Sequence, residues 1–314
     1  MHTFPAATPG PVVQSDATQS RGARTIIART LRRVMGAATV LTTALVVTGC
    51  STLKLAYHQA PHLAYFWFND HLDLQAAQAT PFKQDLERFF QWHQTEELPR
   101  YVAQLQQWQT LARQDITAEQ ACTQFDLIRQ AYLRGTERAL APLAQLTLTL
   151  QAPQFKALSS KHQRSNQKFE EEWLSGSEAD KLARRVDKAV DRYEDLYGRL
   201  SKPQRTLLTE LTQRSGLDPK RWQAERQRRH EDLMASLRQA QAQPDQAHRL
   251  LQAWHARVMQ SPDAAYATYQ AARIDEGCQQ FALLHNATSP AQREHAVKTL
   301  QRYENDFASL IPSL

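Results

Sequence analysis

Helix start signals recur along this chain, and few residues that would interrupt a helix lie between them. The side chain before a proline can accept a backbone N–H, and the N–H that proline lacks is not needed at the first helical position. Only five glycines follow residue 50. The marks are Thr80-Pro81, Asp218-Pro219, Ser261-Pro262 and Ser289-Pro290, with capping boxes at Thr117 to Gln120 and Ser201 to Gln204.

The apolar residues between these marks repeat with the period of a helix. From 182 to 200 they follow steps of three and four residues, which places them on one face of a helix. No stretch shows the alternation of a β-strand. We therefore predict an all-α fold of about ten helices, packed as an elongated antiparallel helical domain over residues 50–314. No linker and no internal repeat is evident. The members of the periodic set are Leu182, Val186, Val190, Tyr193, Leu196 and Leu200.

The N-terminal region has the three parts of a lipoprotein signal peptide in the required order. Five arginines between Arg21 and Arg33 precede an apolar stretch, Val34 to Val47, and then Val47-Thr48-Gly49-Cys50. The apolar stretch is shorter than the roughly 20 residues that a membrane-spanning helix needs. We predict that residues 1–49 are a cleaved signal peptide with an over-long N-terminus, and that lipidated Cys50 anchors the protein to a membrane.

The charge of the mature chain argues against nucleic acid as a partner. The full chain has 38 basic and 32 acidic residues, and its net charge is +6. Removing the five leader arginines and Asp16 leaves 33 basic and 31 acidic residues, a net charge of +2. Nucleic-acid binding requires a concentrated basic surface. The densest basic stretch, Lys220 to Arg229, is interrupted by Glu225, so we interpret it as a solvated helix face.

Two cysteines, Cys122 and Cys278, remain besides Cys50. In an oxidising compartment they could form a disulfide. They could equally be two buried free thiols, since each lies in a helix-like segment beside a phenylalanine. Neither has the Cys-x-x-Cys spacing or a neighbouring histidine that redox catalysis requires.

The segment behind Cys50 is the most unusual in the mature chain. Tyr65-Phe66-Trp67-Phe68 places four aromatic residues in a row, which on a helix points rings to every side. One interpretation is a central core helix that is buried on all sides. The other is an interfacial segment whose Tyr and Trp rings lie at the lipid headgroups beside the anchor. We favour the core helix. Tyr57, Tyr65 and Trp67 are candidate interaction residues under either interpretation.

The mature chain resembles a known family. Cys50, the sequence Leu53-Lys-Leu-Ala-Tyr-His-Gln-Ala60 and the aromatic-rich stretch ending at Leu72-Asp-Leu74 are similar to an uncharacterised group of Gram-negative lipoproteins, domain of unknown function 6279. The resemblance implies an exported helical lipoprotein, and it implies no activity and no site residues. Weaker similarity continues through Trp92-His93, Glu97-Leu-Pro-Arg-Tyr101, Asn166-Gln-Lys-Phe169, Gln204, Trp222 and Arg226 to Arg229.

Motifs for catalysis or metal binding are weak. His58 and His62 have the spacing of two ligands on one helix face, but Pro61 between them suggests a helix boundary that breaks this geometry. Asp70, His71 and Asp73 place two carboxylates and an imidazole together after the aromatic run. We interpret them as polar groups of a helix end and turn. The sequence predicts no catalytic, cofactor or metal residues, and no cofactor.

The leading functional hypothesis is a non-enzymatic envelope lipoprotein that binds an envelope protein or a cell-wall component. Ser51 after the lipidated cysteine permits sorting to the outer membrane, so we expect an anchored protein that faces the periplasm. The rival hypothesis is a hydrolase of cell-wall or lipid material that uses Asp70, His71 or Asp73. The third is a carrier of hydrophobic ligands, held between helices lined by Tyr57, Phe66 and Trp67.

Overall fold

The computed structural model describes residues 51–312, with side chains from residue 54 onward. These residues contain no β-strand, which confirms the all-α prediction for the described part of the chain. Cys50 and the predicted signal peptide lie outside it. The helices are α1 (Ser51–His58), α2 (Ala60–Leu72), α3 (Ala76–Trp92), α4 (Leu98–Leu111), α5 (Ala118–Thr149), α6 (Ala152–Trp173), α7 (Glu178–Tyr197), α8 (Lys202–Arg214), α9 (Pro219–Ala242), α10 (Ala247–Met259), α11 (Ala264–Asn286) and α12 (Pro290–Ala308). A π-helical segment, His93–Glu97, joins α3 to α4, and a 3₁₀ turn, Pro244–Gln246, precedes α10.

Most predicted helix starts are confirmed, and two are wrong. Asp218 and Ser289 cap α9 and α12, and both predicted capping boxes are present. Thr80 does not start a helix, because α3 begins four residues earlier, behind Gln75, and contains Pro81 inside it. Ser261 is not a cap either, since Asp263 accepts the first N–H groups of α11 instead.

Helix α5 organises the described fold by packing against α3, α9, α10 and α11. Residues from Leu53 onward form one compact unit. On the periodic face of α7, Val190 is buried against α8 and α11, and the other members within the helix are half-buried. Tyr197, which is not in the predicted set, packs against α4 and α12. Among the described helices, none combines the length and the apolar character that crossing a membrane requires.

Two helix N-termini are joined by a pair of reciprocal glutamine amides, which we call the first glutamine clasp. Gln78 of α3 and Gln154 of α6 each donate Nε2–H to the other's Oε1, at 3.1 and 2.8 Å. Each Oε1 also accepts the N-cap backbone N–H of its own helix, from Gln75 and Gln151. Gln154 is only 1% exposed. The amides thus satisfy helix-terminal N–H groups that burial removes from water.

A second glutamine clasp repeats this arrangement between α8 and α12. Gln204 and Gln292 exchange amide hydrogen bonds of 2.7 and 3.0 Å, and their Oε1 atoms accept the N–H of Ser201 and Ser289. In both clasps each Nε2 also donates to a carbonyl two residues before the partner's N-cap. A short motif therefore recurs although the sequence shows no obvious internal repeat: Leu74-Gln-Ala-Ala-Gln78, Leu150-Gln-Ala-Pro-Gln154, Leu200-Ser-Lys-Pro-Gln204 and Thr288-Ser-Pro-Ala-Gln292.

The structure resolves the open question about the cysteines, since Cys122 and Cys278 form a disulfide that joins α5 to α11. Cys278 is fully buried, and the bridge lies in an apolar cluster with Ile116, Ala121 and Ala282. The two cysteines are 156 positions apart in the sequence. Such a crosslink removes many conformations from the unfolded chain.

We expect Gln154→Met to lower the free energy of unfolding by about 2–4 kcal/mol, because the N–H of Gln151 loses its side-chain acceptor and the Gln78 amide loses two hydrogen bonds, one donated and one accepted. Urea unfolding followed by circular dichroism measures the change. The control is Gln120→Met, which removes a capping-box glutamine that belongs to neither clasp. It should cost about 1 kcal/mol or less. Equal losses in the two variants would show that the clasp adds nothing to ordinary capping.

Replacing both cysteines, Cys122→Ala with Cys278→Ala, should destabilise the protein by about 2–5 kcal/mol through the released loop entropy. Thermal unfolding of the variant and of the reduced wild-type chain should show the same lowered midpoint. An unchanged midpoint in both samples would contradict a stabilising role for this bridge.

Candidate functional site

Helices α1 and α2 form one nearly continuous helix that begins directly after Cys50 in the sequence. The backbone stays helical through Gln59, whose N–H donates to Leu55 and whose carbonyl accepts from Leu63. Pro61 lies in the first turn of α2, where its missing N–H interrupts nothing. The predicted helix boundary near Pro61 is present, since α1 ends at His58 and α2 begins at Ala60, but it does not break the helical geometry because Gln59 keeps a right-handed helical backbone.

The outer side of this helix carries four large apolar residues, which we call the aromatic face. Leu55, Leu63, Phe66 and Trp67 are between 57% and 64% exposed. Their spacings of eight, three and one residues place them on one side of a helix. The prediction of a core helix buried on all sides is wrong, because only part of the aromatic run faces the interior.

The inner side of α2 explains how four consecutive aromatic residues are divided. Phe68 packs edge-to-face on Phe82 of α3, with ring centroids 4.9 Å apart. Tyr65 packs against the same core cluster, and the Lys83 ammonium lies 4.3 Å from its ring centre. Helical geometry then leaves Phe66 and Trp67 on the opposite side, in solvent.

The predicted polar residues lie at the end of α2, and they hold that end in place. Asp70 forms an ion pair with Lys161 of α6, and this hydrogen bond keeps the pKa of the carboxyl below its ordinary value. His71 Nδ1 donates to the Trp67 carbonyl at 2.7 Å, and its ring stacks on the Trp67 ring. Asp73 adopts a left-handed conformation as the C-cap. These groups satisfy a helix end, as the sequence interpretation expects. His71 Nδ1 also lies 3.9 Å from Asp70 Oδ2, but it donates its proton to the Trp67 carbonyl.

His58 and His62 both have exposed side chains on the continuous helix, so they do have the spacing of a two-ligand site. Two ligands alone make a weak site, since metal sites in proteins take three or more. Among the residues with described side chains, no cluster of three or more histidine, cysteine or carboxylate groups has metal-binding geometry.

Tyr57, predicted as an interaction residue, lies on the inner side of α1 in an aromatic cluster that sequence reasoning missed. Its hydroxyl and His93 Nδ1 share a hydrogen bond of 2.8 Å, and Tyr101 packs edge-to-face on His93. Burial raises the pKa of Tyr57 to about 12 and lowers the pKa of His93. Both groups are therefore neutral at pH 7. The bond ties α1 to the π-helical segment and fixes this helix against the body.

Glu97 follows in the same segment and is 1% exposed. Arg134 of α5 donates two hydrogen bonds of 2.8 Å to its carboxylate, and they hold the pKa of Glu97 below its ordinary value. A carboxylate held charged in this way cannot serve as a general acid near neutral pH. His93, Glu97 and Tyr101 are four residues apart, a spacing that places side chains on one side of a helix. This spacing is the sequence signal that could have predicted that the three residues lie together.

Residues from three of the weaker family similarities meet between α6 and α9. Phe169 packs edge-to-face on Trp222 at 5.1 Å, and the Arg226 guanidinium lies over the Phe169 ring. Arg226 also donates to Asn166 at 3.3 Å. This packing uses residues of these three similarities for contact between α6 and α9.

The basic stretch in α9 is only partly a solvated face. Glu225 is buried, and its carboxylate accepts hydrogen bonds from Arg228 and Arg229 at 2.7–2.8 Å and from Ser261 at 3.1 Å. Two of the arginines that suggested a basic patch therefore neutralise an internal carboxylate. The glutamate that appeared to interrupt the patch is its structural centre.

A stacked histidine pair lies beside this contact. His162 of α6 and His230 of α9 are parallel, with ring centroids 3.8 Å apart. Burial lowers the pKa of both rings, and that of His230 reaches about 4. Arg226 opposes protonation of His162, whereas Glu231 favours protonation of both. The pair is therefore neutral in the folded protein near pH 7.

This pair should make the fold less stable in mild acid. Histidine in the unfolded chain titrates near pH 6.5. Between that value and the lowered folded value near 4, the unfolded state binds more protons, so the free energy of unfolding falls as pH falls. Between pH 7 and pH 5, the free energy of unfolding should fall less in His230→Gln than in the wild type, by on the order of 1–2 kcal/mol. Urea unfolding at both values measures it. The control His248→Gln, at an exposed histidine, should keep the wild-type pH dependence, and an identical loss in all three proteins would refute the prediction.

Comparison with known proteins gives one match. A family model described as a family of unknown function (DUF6279) matches residues 70–263. The range includes the glutamine pair of the first clasp, the Glu97–Arg134 pair and the α6–α9 contact, and the aromatic face precedes it. No curated protein and no solved structure matches the chain. Because the match spans more than half of the sequence, the chain belongs to the DUF6279 family, whose function is unknown.

Proposed function

We propose that this protein is a non-enzymatic lipoprotein of the outer membrane that faces the periplasm and binds another envelope component. The observation that carries the proposal is the aromatic face. It starts five positions after Cys50, on a helix whose first residue is Ser51. Exposed apolar patches of this kind mark interaction surfaces. A lipid anchor at Cys50 would place this patch at the membrane surface.

The chemistry of the face favours lipid headgroups over a protein partner as its occupant. Trp67 combines a large apolar ring with one N–H, and such amphipathic rings are stable where acyl chains meet headgroups. His58 and His62 are exposed beside the apolar residues and would remain in the polar layer. The Tyr57–His93 hydrogen bond holds the helix in a fixed orientation relative to the body.

The candidate catalytic groups give less support to a hydrolase. Asp70 is ion-paired with Lys161, His71 Nδ1 is bonded to a backbone carbonyl, and Asp73 serves as a helix cap. We therefore assign the proposed binding role to exposed helix faces and not to these polar groups. The partner component would meet helix faces of the body that the membrane leaves free.

The depth of Trp67 in a lipid bilayer tests the proposal. The lipidated chain is reconstituted in phosphatidylcholine vesicles whose acyl chains carry bromine, which quenches tryptophan fluorescence at short range. We expect quenching of the wild type, and Trp67→Phe should remove most of it because Trp67 is the tryptophan on the aromatic face. Trp254→Phe, at a tryptophan with a buried indole nitrogen, is the control and should leave quenching unchanged. Equal quenching in Trp67→Phe and in the wild type would contradict membrane contact by the face.

Cell fractionation tests the anchor separately. We expect the wild type in the outer membrane and Cys50→Ala in the soluble periplasmic fraction. Ser51→Asp keeps the lipidation site and should shift the protein to the inner membrane. A Cys50→Ala protein that remains in the outer membrane would refute lipid anchoring at this cysteine.

A further inference from the structure

An apolar cavity of about 300 Å³ lies between α4, α5, α7, α11 and α12, apart from the aromatic face. Its wall includes Leu105, Trp108, Ala121, Phe281 and Leu300. No charged side chain lines it. Tyr57, Phe66 and Trp67, which the sequence suggested as the lining of a ligand site, are not part of it.

Several polar side chains in the wall are hydrogen-bonded within the protein. His285 Nε2 donates to the Gln114 carbonyl at 2.8 Å, so Nδ1 is free to accept from the Tyr197 hydroxyl, at 2.7 Å. Gln124 Oε1 accepts from Trp108 Nε1 at 2.9 Å. The cavity therefore offers a ligand apolar contact and no unpaired hydrogen-bonding group from these side chains.

The cavity opens through an apolar rim. Phe125, Ile128 and Tyr303 line it and are also exposed at the surface, with Ile128 50% exposed. Next to the wall, the Cys122–Cys278 disulfide joins α5 to α11. The bridge holds these two sides of the cavity together, so the space belongs to the folded state rather than to a transient opening.

We infer that this cavity binds a single aliphatic chain of about ten carbons, of the kind found in fatty acids and monoacyl lipids. A peptide would bring backbone N–H and C=O groups that find no partners in this wall, and leaving them unpaired is costly. An alkyl chain brings none. A water occupies roughly 30 Å³ in the liquid. A methylene is of similar size, so the cavity of about 300 Å³ has room for roughly ten carbons.

The chain enters through the rim, and its headgroup stays outside. Because the wall carries no charge, the site recognises the length of the chain and is indifferent to the headgroup. This role goes beyond the proposed membrane anchoring, since it assigns a ligand to the body of the protein and uses none of the residues of the aromatic face.

Isothermal titration calorimetry tests the inference on the full chain carrying Cys50→Ala, which has no attached acyl chain to compete. The probes are hexanol, octanol, decanol and dodecanol. We expect the affinity to rise by roughly fourfold per added methylene and to level off near ten carbons. An affinity that does not depend on chain length overturns the inference.

Two further probes test whether the headgroup is recognised. Decanol, decanoate and a decanoyl lysophospholipid share the chain, so comparable affinities support recognition of the chain. Binding of only one of them would mean that the headgroup is recognised, and it overturns the inference.

Two variants test whether decanol binds in this cavity. Ala121→Leu fills the cavity, and Ile128→Trp obstructs its half-exposed rim, where folding tolerates a larger side chain. Each should weaken decanol binding at least tenfold, with circular dichroism confirming the fold. The matched control, Phe66→Ser with Trp67→Ser, removes exposed apolar residues elsewhere and should bind decanol like the parent. Unchanged affinity in Ile128→Trp, or an equal loss in the control, overturns the assignment to this cavity.

Discussion

The need to satisfy buried helix ends dominates this structure. An all-helical chain creates many N-termini, and each leaves backbone N–H groups without partners inside the helix. Here four of these termini meet in two pairs, and the glutamine amides between the paired helices are buried or half-buried. One glutamine from each terminus serves both its own N-cap and the opposite helix. Because the amide geometry works only when both helices are in register, the clasps fix the relative positions of α3 with α6 and of α8 with α12.

The first clasp also helps to explain why one apolar side of α1 and α2 remains exposed. Gln154 of the first clasp donates its Nε2–H to the carbonyl of Asp73, directly after α2, so the end of that helix is held against α6. The Tyr57–His93 hydrogen bond holds its beginning. With both ends fixed and Phe68 buried on α3, rotation of the helix to hide Trp67 would expose Phe68 instead. The exposed face is thus a consequence of the packing, and a membrane at this surface would lower its cost.

Local signals predicted the fold class well and the site poorly. Capping boxes at Thr117 and Ser201 involve neighbouring residues, so the sequence shows them directly. Thr80-Pro81 misled because the N-cap of α3 is Gln75, five residues earlier, where Gln78 is also held by Gln154 from another helix. The aromatic run predicted a buried helix because composition does not reveal which sides are covered. Tyr57 and His93 are 36 positions apart, and no local pattern connects them.

The aromatic face and the apolar cavity suit different ligands, but a membrane could supply both. The face is convex and fits an extended surface, whereas the cavity is concave and fits one chain. A cavity of this size gains limited affinity from apolar contact alone, since binding also costs translational freedom. Anchoring at Cys50 would place the cavity within reach of a membrane, where acyl chains are far more concentrated than in water. Tethering raises effective concentration without any new contact. A modest intrinsic affinity for the chain would then be sufficient, and a headgroup-independent site would be useful because the membrane itself supplies the selection.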